Sequence, residues 1–262
     1  MRIAHLSDLH FGAALPHAVD ALMRRIAAIR PDLVVMSGDF TMAARHREFD
    51  DAKAILDELP MPILAVPGNH DIPVYNLVER FFSPLDRYTR AVQPFAADRF
   101  VSRAAAILGL NTARPWELSF NWSHGRLSAD QIDEADRFFD ANADARFKAL
   151  VVHHPFEVPA DMPGFKAVRN SDAMVDVLAK HRVDLVMSGH LHRQFVTSRS
   201  VDRVHGCHTL HLLNAGSPTT HRHREHPNAF AVIDVVADGI SIRDEVFDGE
   251  RFVQESHETL AA

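Results

Sequence analysis

Short apolar runs alternate with amphipathic helical stretches through the first half of the chain, and this alternation constrains the fold more than any other feature. The segments 3–7, 33–36 and 63–66 are predicted strands, while 17–30 and 47–59 carry apolar residues at helical spacing. A proline follows each of these helices and prevents it from continuing. Parallel strands joined by crossover helices produce this pattern, so the sequence predicts an α/β fold with a sheet covered by helices.

The alternation continues to Gly189 and then changes. Further predicted strands cover 105–110, 149–152 and 185–187, and further predicted helices cover 76–90, 128–141 and 172–181. Pro84 is expected to break the first of these helices. After Gly189 four short strands follow without helices, which predicts a β-rich, antiparallel C-terminal third from about residue 193 to 262. They are predicted at 195–198, 209–213, 230–236 and 240–246. The sequence contains no repeat, linker or low-complexity segment, so we expect a single domain over 1–262.

Composition excludes several classes of function. The 262 residues carry a net charge of −7 and are 47% apolar, which allows a large core and argues against the basic surface that long nucleic acids attract. The sequence has neither a signal-peptide pattern nor an apolar stretch long enough to span a bilayer. Cys207 is the only cysteine, so no intrachain disulfide is expected and a reducing compartment fits. By elimination we expect a cytoplasmic protein that binds neither membranes nor long nucleic acids.

Polar clusters occupy the ends of the predicted parallel strands. In chain order they are Asp8-Leu9-His10, Ser37-Gly38-Asp39, Gly68-Asn69-His70-Asp71, His153-His154-Pro155 and Gly189-His190-Leu191-His192. Because the carboxyl ends of parallel strands line one crevice, these clusters should converge on a single point. The chain also contains eighteen histidines, and histidine is the commonest metal ligand in proteins. The sequence therefore predicts a metal site at this edge of the sheet.

Seven residues of these clusters are candidate metal ligands, whereas one catalytic ion usually takes three or four. They are Asp8, His10, Asp39, Asn69, His153, His190 and His192. In an extended segment, residues two apart face the same way, so Asp8 and His10 can share an ion, and His190 can pair with His192. We therefore expect two divalent ions, which this mixture of ligands restricts to Mn, Fe, Zn or Co without deciding among them. Such a pair attracts an anion and suits in-line attack on phosphorus.

The order of these clusters resembles the calcineurin-like metallophosphoesterase superfamily over about residues 1 to 217. The two histidine-rich clusters are similar to those of bacterial class III cyclic nucleotide phosphodiesterases and the glycerophosphodiesterases near them. The resemblance implies a four-layer αββα sandwich of two mixed sheets. It also implies that Asp39 bridges the two ions. The implied ligands are Asp8, His10 and His192 on one ion, and Asn69, His153 and His190 on the other.

The resemblance further implies which residues lie beside the substrate. His70 would be bound to neither ion, and would neutralise or protonate the leaving oxygen, with Asp71 placed to orient its imidazole. Asn69 and His154 are also candidates for substrate contact. The resemblance assigns His153 to a metal and leaves His154 behind it, although the sequence alone does not separate these two neighbours.

We expect a phosphodiesterase that hydrolyses a small diester, such as a cyclic nucleotide or a glycerophosphodiester, through a hydroxide that bridges the metals. The clusters contain no Arg or Lys, which the second charge of a monoester would favour. Two alternatives on the same metals stay open: a phosphomonoesterase, and an enzyme that cleaves the pyrophosphate of a nucleotide conjugate. A non-catalytic binding scaffold should lack some ligands, and here all seven are present.

Two loops are candidates for the rim of the site. The loop that contains Trp116, Phe120 and Trp122 either stacks on an apolar leaving group or folds its aromatic rings beneath itself. The loop 155–170 is a candidate substrate lip, in which Arg169 can pair with phosphate.

Two other features have an ordinary explanation and a functional alternative. Six late histidines match no compact zinc motif, so we expect a solvated or lip-forming segment there and not a third metal. They are His205, His208, His211, His221, His223 and His226. In the helical segment 76–90, apolar residues at helical spacing predict a core face, with a cap or a homo-oligomer contact as the alternatives. They are Leu77, Phe81, Phe82 and Leu85.

Overall fold

The computed structural model describes residues 1–116, 123–201, 208–221, 226–236 and 239–261. Its strands are β1 (Arg2–Leu6), β2 (Leu33–Met36), β3 (Ile63–Ala65), β4 (Arg99–Val101), β5 (Ala105–Gly109), β6 (Phe147–Val151), β7 (Leu185–Ser188), β8 (Phe195–Val201), β9 (His208–Asn214), β10 (Ala229–Val236), β11 (Gly239–Phe247) and β12 (Phe252–Ala261). Its helices are α1 (Pro16–Ile29), α2 (His46–Glu58), α3 (Leu77–Phe82), α4 (Asp86–Ala91), α5 (Ala129–Ala141) and α6 (Ser171–Lys180), and a 3-10 turn covers Asn69–Asp71.

Two mixed sheets form the centre of the fold. One has the strand order β12-β11-β10-β1-β2-β3, and the other has the order β4-β5-β6-β7-β9-β8. In the first sheet β1, β2 and β3 run parallel, while β10 runs antiparallel to β1. In the second sheet β5, β6, β7 and β9 run parallel. The C-terminal strands β10 to β12 thus extend the sheet that the N-terminus begins; a single domain over 1–262 stays a prediction.

Apolar side chains fill the space between the sheets and cover both of their outer faces. Between the sheets, Val35 and Ile107 are fully buried in one cluster to which both sheets contribute. Helices α1 and α2 cover the outer face of the first sheet through residues such as Ile26 and Phe49. Helices α5 and α6 cover the outer face of the second sheet, where Phe139 is fully buried. This is the predicted four-layer αββα sandwich, held together by burial of apolar surface between its layers.

The C-terminal third differs from the antiparallel arrangement that the sequence predicts. Strand β9 runs parallel to β7, with His211 opposite Leu185, and only its other neighbour β8 is antiparallel to it. Strands β10 and β11 pair antiparallel as predicted, and β12 pairs antiparallel with β11. The prediction was wrong for the pairing of β9 with β7, because alternation of apolar residues marks a strand without marking its direction. Strands β4 and β12 were not predicted; both lie at sheet edges, where half-exposed polar residues weaken the apolar pattern.

The segment after the third cluster forms α3 and α4, which are divided around Pro84 as predicted. Leu85 packs against the core, but Leu77, Phe81 and Phe82 do not, and Phe82 is 86% exposed. The prediction of a core face was therefore wrong for these three residues. The apolar face of α3 is turned toward solvent instead.

A buried arginine explains the orientation of α3. The guanidinium of Arg80 donates to the carbonyl of Pro73 at 3.0 Å and to the carbonyl of Pro115 at 2.6 Å. Burying this charged side chain against carbonyl groups turns the opposite, apolar face of the helix outward. The same contact ties α3 to the loop that contains Trp116, which is 57% exposed.

Among the described residues, no helix combines the length and the apolar character needed to cross a bilayer.

Candidate metal centre

Backbone hydrogen bonds join the polar segments at the strand ends. Asp8 N donates to the Gly38 carbonyl at 2.9 Å, and Gly189 N donates to the His153 carbonyl at 3.0 Å. The segment after β9 lies beneath them, because the Ser217 hydroxyl donates to the Asp8 carbonyl at 2.6 Å. The five predicted clusters therefore meet at one edge of the two sheets. Six of the seven candidate ligands are buried there, and the asparagine is half-buried.

The first group of candidate ligands consists of Asp8, His10 and His192. Nε2 of His192 lies 2.9 Å from His10 Nε2 and 3.1 Å from Asp8 Oδ1. The other oxygen of Asp8, Oδ2, accepts hydrogen bonds from Ser7 Oγ at 2.6 Å and from His190 N at 2.9 Å. Among the described residues no hydrogen-bond donor satisfies Oδ1. This oxygen is thus left facing the two imidazoles.

The second group consists of Asp39, Asn69, His153 and His190. Nε2 of His153 lies 3.1 Å from Asn69 Oδ1 and 3.3 Å from Asp39 Oδ2, and the His190 ring is 5.1 Å from the His153 ring. Asp39 Oδ2 also lies 3.8 Å from Nε2 of His10 in the first group. The carboxylate of Asp39 therefore stands between the two groups, where a ligand shared by two ions has to be.

Hydrogen bonds decide which histidine nitrogens face the centre. Nδ1 of His10 donates to the Thr41 carbonyl at 3.2 Å, and Nδ1 of His153 donates to the Ser37 carbonyl at 2.7 Å. In a neutral ring, Nε2 then carries the lone pair. Lone pairs and carboxylate oxygens this close together repel each other unless a cation lies among them. The donor set therefore fits divalent ions, whose histidine ligands commonly donate their other N–H to a carbonyl.

The pKa values of the buried groups agree with a cation site. Burial would raise the pKa of Asp39, but His153 and the neighbouring imidazoles outweigh it, and the pKa falls well below its usual range. Burial lowers the pKa of His153, but Asp39 outweighs it and raises the pKa to about 9. Burial and the charge on His153 lower the pKa of His190 to about 3. The buried carboxylates thus hold a proton on one imidazole, and a metal ion can displace that proton.

Five of the seven candidate ligands have a left-handed backbone. They are Asp8 (φ 55°), His10 (φ 49°), Asp39 (φ 55°), His190 (φ 72°) and His192 (φ 56°). We predicted that the paired candidates among them lie in extended segments, in which residues two apart face the same ion. The backbone is not extended at these positions, so that premise was wrong. The backbone curls at each strand end, so Asp8 joins His10 and His192, while His190 belongs to the other group. Such conformations cost free energy and cluster at functional sites.

Two glycines are required by this packing. Gly38 has φ +96°, and a Cβ there would lie 2.7 Å from Nδ1 of His153. Gly189 needs no special φ, but a Cβ there would lie 1.7 Å from Ser7 Oγ and 2.6 Å from Asp8 Oδ2. Any side chain at Gly189 would therefore push against the residues that orient the Asp8 carboxylate.

His70 is half-buried beside the first group, with its ring edge-on to the His10 ring at 4.9 Å. Its Nδ1 donates to the Met42 carbonyl at 2.7 Å, and its backbone N–H donates to Asp39 Oδ1 at 2.8 Å. The imidazole is thus oriented by a backbone carbonyl, and its Nε2 is not used by this hydrogen bond.

Asp71 does not orient His70, and that prediction was wrong. The 3-10 turn directs the Asp71 carboxylate inward, where it accepts from Thr41 N at 3.0 Å and from Gly68 N at 2.9 Å. Burial, and then the nearby charge of Asp39, raises the pKa of Asp71 to about 7. Asp71 ties the third cluster to Thr41, two residues after the second cluster, and makes no hydrogen bond to the imidazole among the described contacts.

His154 is fully buried, although the sequence suggested that it contacts substrate. Its Nδ1 lies 2.7 Å from Thr112 Oγ1, and its ring lies 4.7 Å from the His190 ring and 4.9 Å from the His153 ring. A ring enclosed by other histidines is not exposed to a ligand that arrives from solvent. Its position therefore argues against the substrate contact that we expected.

The candidate rim is only partly described. Phe165, in the loop 155–170, packs edge-on against the His190 ring at 5.5 Å, as a lip over the site would. Arg169 of the same loop is exposed, and its pairing with phosphate stays a prediction. Trp116 is exposed in the loop after β5, whereas Phe120 and Trp122 lie outside the described residues.

Three of the late histidines that the structure describes bind other groups of the protein. Nε2 of His208 donates to the Val183 carbonyl at 2.8 Å, and Nδ1 of His221 donates to the Ala13 carbonyl at 2.7 Å. His211 shares a hydrogen bond with a serine hydroxyl on β8. None of these three belongs to a possible metal-binding group among the described residues. His226 is half-buried, and His205 and His223 lie outside those residues.

Sequence reasoning missed the residues that hold the ligands in place. They are His5, Ser7, Ser37, Thr41 and Thr112. Two of them could have been found from their position, because Ser7 directly precedes Asp8 and Ser37 directly precedes Gly38 at the strand ends. No short-range pattern marks the other three.

Residues 1–194 match the family model of calcineurin-like phosphoesterases. The chain belongs to the calcineurin-like phosphoesterase family. It is therefore a hydrolase of phosphate esters, in a family that uses divalent metal ions, and its Asp and His groups can hold such ions.

Curated relatives and solved structures agree with this membership. A probable cyclic nucleotide phosphodiesterase of Synechococcus sp. is 27% identical over 79% of this chain and 79% of its own length. A UDP-2,3-diacylglucosamine pyrophosphatase of Chlamydia muridarum is 26% identical over 73% of this chain and 63% of its own length. A dimetal phosphatase from Danio rerio superimposes with a TM-score of 0.66 at 14% identity, covering 100% of this chain and 98% of that one, and shows the fold alone.

Proposed function

We propose that this chain is a phosphodiesterase with a dinuclear metal centre that hydrolyses a small diester, such as a cyclic nucleotide or a glycerophosphodiester. The first group, Asp8, His10 and His192, would hold one ion, and the second group the other, with Asp39 shared between them. Relatives named cyclic nucleotide phosphodiesterases and glycerophosphodiester phosphodiesterases support the diester class. When bound, the two divalent ions supply Lewis acidity toward the phosphoryl oxygens and toward the water that attacks phosphorus.

The charged groups around the centre support a diester over a monoester as the substrate. The ion-pair partners of Asp8 and Asp39 among the described residues are imidazoles, and none is a Lys or Arg. A phosphomonoester brings a second negative charge that a fixed cation beside the metals would neutralise, whereas a diester brings one. A centre lined by imidazoles therefore suits the singly charged substrate better.

His70 would assist the leaving group. Its Nδ1 is held by the Met42 carbonyl, so in the protonated ring Nε2–H is the group that can donate a proton to the departing alkoxide. The backbone N–H of His70 also binds Asp39, and this bond fixes the ring relative to the shared carboxylate. Asn69, half-buried beside it, would face the same substrate.

A second candidate is cleavage of the pyrophosphate in a nucleotide conjugate that carries apolar groups. Two relatives are named UDP-2,3-diacylglucosamine pyrophosphatases. The exposed apolar side chains of α3 and Trp116 favour this candidate, because a polar substrate would not require them. Helix α3 follows the cluster that contains His70, and Arg80 ties this helix to the loop of Trp116. A large apolar surface left in water otherwise carries a solubility cost.

A substrate panel separates these candidates. Metal-free protein is reconstituted with Mn and assayed on cyclic nucleotides, glycerophosphodiesters, aryl monoesters and diesters, and a UDP-diacylglucosamine. We expect at least one simple diester to turn over faster than every monoester. Faster turnover of a monoester than of every diester would refute the proposal, and faster turnover of the acylated conjugate would select the second candidate.

Two variants refine the outcome. Trp116→Ala should slow a cyclic nucleotide more than a small aryl diester if the indole stacks on the base. Phe82→Ser should slow the acylated conjugate alone if the apolar face of α3 contacts its chains. Equal losses on all substrates would assign both side chains to packing.

A further inference from the structure

Three imidazoles cluster at the second group. His153, His154 and His190 each place one ring nitrogen within 4.8 Å of the others. Their ring centres are 4.7 to 5.1 Å apart. The ligand set that the family resemblance implies uses two of these rings and leaves His154 without a function.

His154 has a buried ring nitrogen that no hydrogen bond within the described part of the chain satisfies. Nε2 has no hydrogen-bond partner among the described residues, and the ring is fully buried. An unsatisfied polar atom inside a protein is destabilising, so such atoms usually have a partner that binds there. His10 and His153, by comparison, each direct Nε2 at the centre.

The other edge of the His154 ring is held firmly. Nδ1 lies 2.7 Å from Thr112 Oγ1, and this hydroxyl also accepts the backbone N–H of His154 at 3.3 Å. A Cβ on Gly125 would lie 2.4 Å from Nδ1 and 2.3 Å from Cγ, so the chain packs directly against that edge. With Nδ1 engaged in this way, Nε2 is the ring nitrogen of His154 that is left to bind a metal ion.

We infer that His154 is a ligand of the second ion, which three imidazoles, Asn69 and Asp39 would then hold. This inference rests on the proposed metal centre but not on the substrate proposed for it. The two sites become unequal: the first offers two imidazoles and two carboxylates, while the second offers three imidazoles and one carboxylate. Imidazole-rich sites favour Zn, Fe or Co over Mg or Ca, so the second site should be the more selective one.

Metal binding tests this directly and requires no substrate. Metal-free wild-type protein and the His154→Gln variant are titrated with Co(II), and the number of ions, their affinities and the visible absorption bands are recorded. We expect the variant to bind the second Co(II) at least about tenfold more weakly, with altered bands. His208→Gln is the matched control, because it removes a buried histidine that binds the Val183 carbonyl at the far end of β9.

Two outcomes would overturn the inference. In one, His154→Gln binds both ions with wild-type affinity and spectrum. In the other, metal binding is unchanged while KM for a diester rises, which would return His154 to substrate contact. The proposed function fails separately, if both ions bind but no diester is hydrolysed.

A measurement on the wild-type protein keeps the inference testable if the variant does not fold. Protein labelled with ¹⁵N-histidine is loaded with ¹¹³Cd, and ring nitrogens with a one-bond coupling to the metal are counted. Ligation by His154 gives five coupled rings: His10, His153, His154, His190 and His192. Four coupled rings would refute it.

Discussion

The buried His5 should make the protein sensitive to acid. It lies fully buried on β1, with Nε2 2.9 Å from Ser37 Oγ, and Nδ1 has no hydrogen-bond partner among the described residues. Burial lowers the pKa of His5 to about 3, and the negative charge of Asp8 offsets this only in part. The native protein therefore keeps His5 neutral at a pH where the unfolded chain protonates it.

The sign and size of the change in the free energy of unfolding follow from this difference between the folded and unfolded pKa values of His5. An exposed histidine has a pKa of about 6.5, so the unfolded state binds the proton first as the pH falls. The stability that the folded protein has with neutral His5 is fully present above about pH 6.5. It is lost progressively as the pH falls toward the folded pKa of about 3. At about pH 5 the unfolded state gains roughly 2 kcal/mol from protonating this one residue.

The assay compares wild type with His5→Gln, whose amide can keep the hydrogen bond to Ser37. The free energy of unfolding is measured in urea at about pH 8 and about pH 5, with chelator present so that ligand histidines contribute equally to both proteins. Wild type should lose roughly 2 kcal/mol more than the variant between these pH values. The exposed His46 supplies the control substitution, His46→Gln. Equal losses in wild type and His5→Gln would refute the reasoning.

Three substitutions test the centre itself. Asp39→Ala should abolish tight binding of both ions and all turnover, and a variant that keeps two ions by elemental analysis would remove Asp39 from the shared position. His70→Ala should keep both ions and lower kcat by roughly 10²–10⁴-fold, as loss of a proton donor does, whereas an unchanged kcat would exclude this role. Gly189→Ala should weaken metal binding and lower stability by about 1–3 kcal/mol, because the new Cβ overlaps Ser7 Oγ and pushes on Asp8. Wild-type stability and metal content in that variant would show that the loop adjusts freely.

The sequence predicted the layers and the convergence of the ligands because both follow from local patterns. Apolar period and proline position mark the strands and helices, and parallel strands leave their carboxyl ends at one edge. Residues far apart in the chain, such as Asp8 and His192, were therefore expected together and are found 3.1 Å apart. Strand direction is a property of the whole sheet, and this is why the parallel position of β9 was missed.

The orientation of individual side chains was not predictable from the same patterns. Asp71 turns inward because a 3-10 turn carries it past His70, and the turn depends on bonds from Thr41, thirty residues earlier. The apolar face of α3 points outward because Arg80 bonds to the distant Pro115 carbonyl. In both cases a long-range hydrogen bond overrides the local spacing.

The same kind of bond explains how the centre is organised before any ion binds. Each candidate ligand with a left-handed backbone costs about 1–2 kcal/mol of backbone strain, which only the surrounding structure can sustain. The structure does so by fixing the carboxylate oxygens that do not face the centre: Ser7 and His190 N hold one oxygen of Asp8, and His70 N holds one oxygen of Asp39. The opposite oxygens are then directed at the imidazoles without further movement. The His70 backbone holds the Asp39 carboxylate, so in the proposed mechanism one turn of the chain would set both the position of the proton donor and the position of the ions.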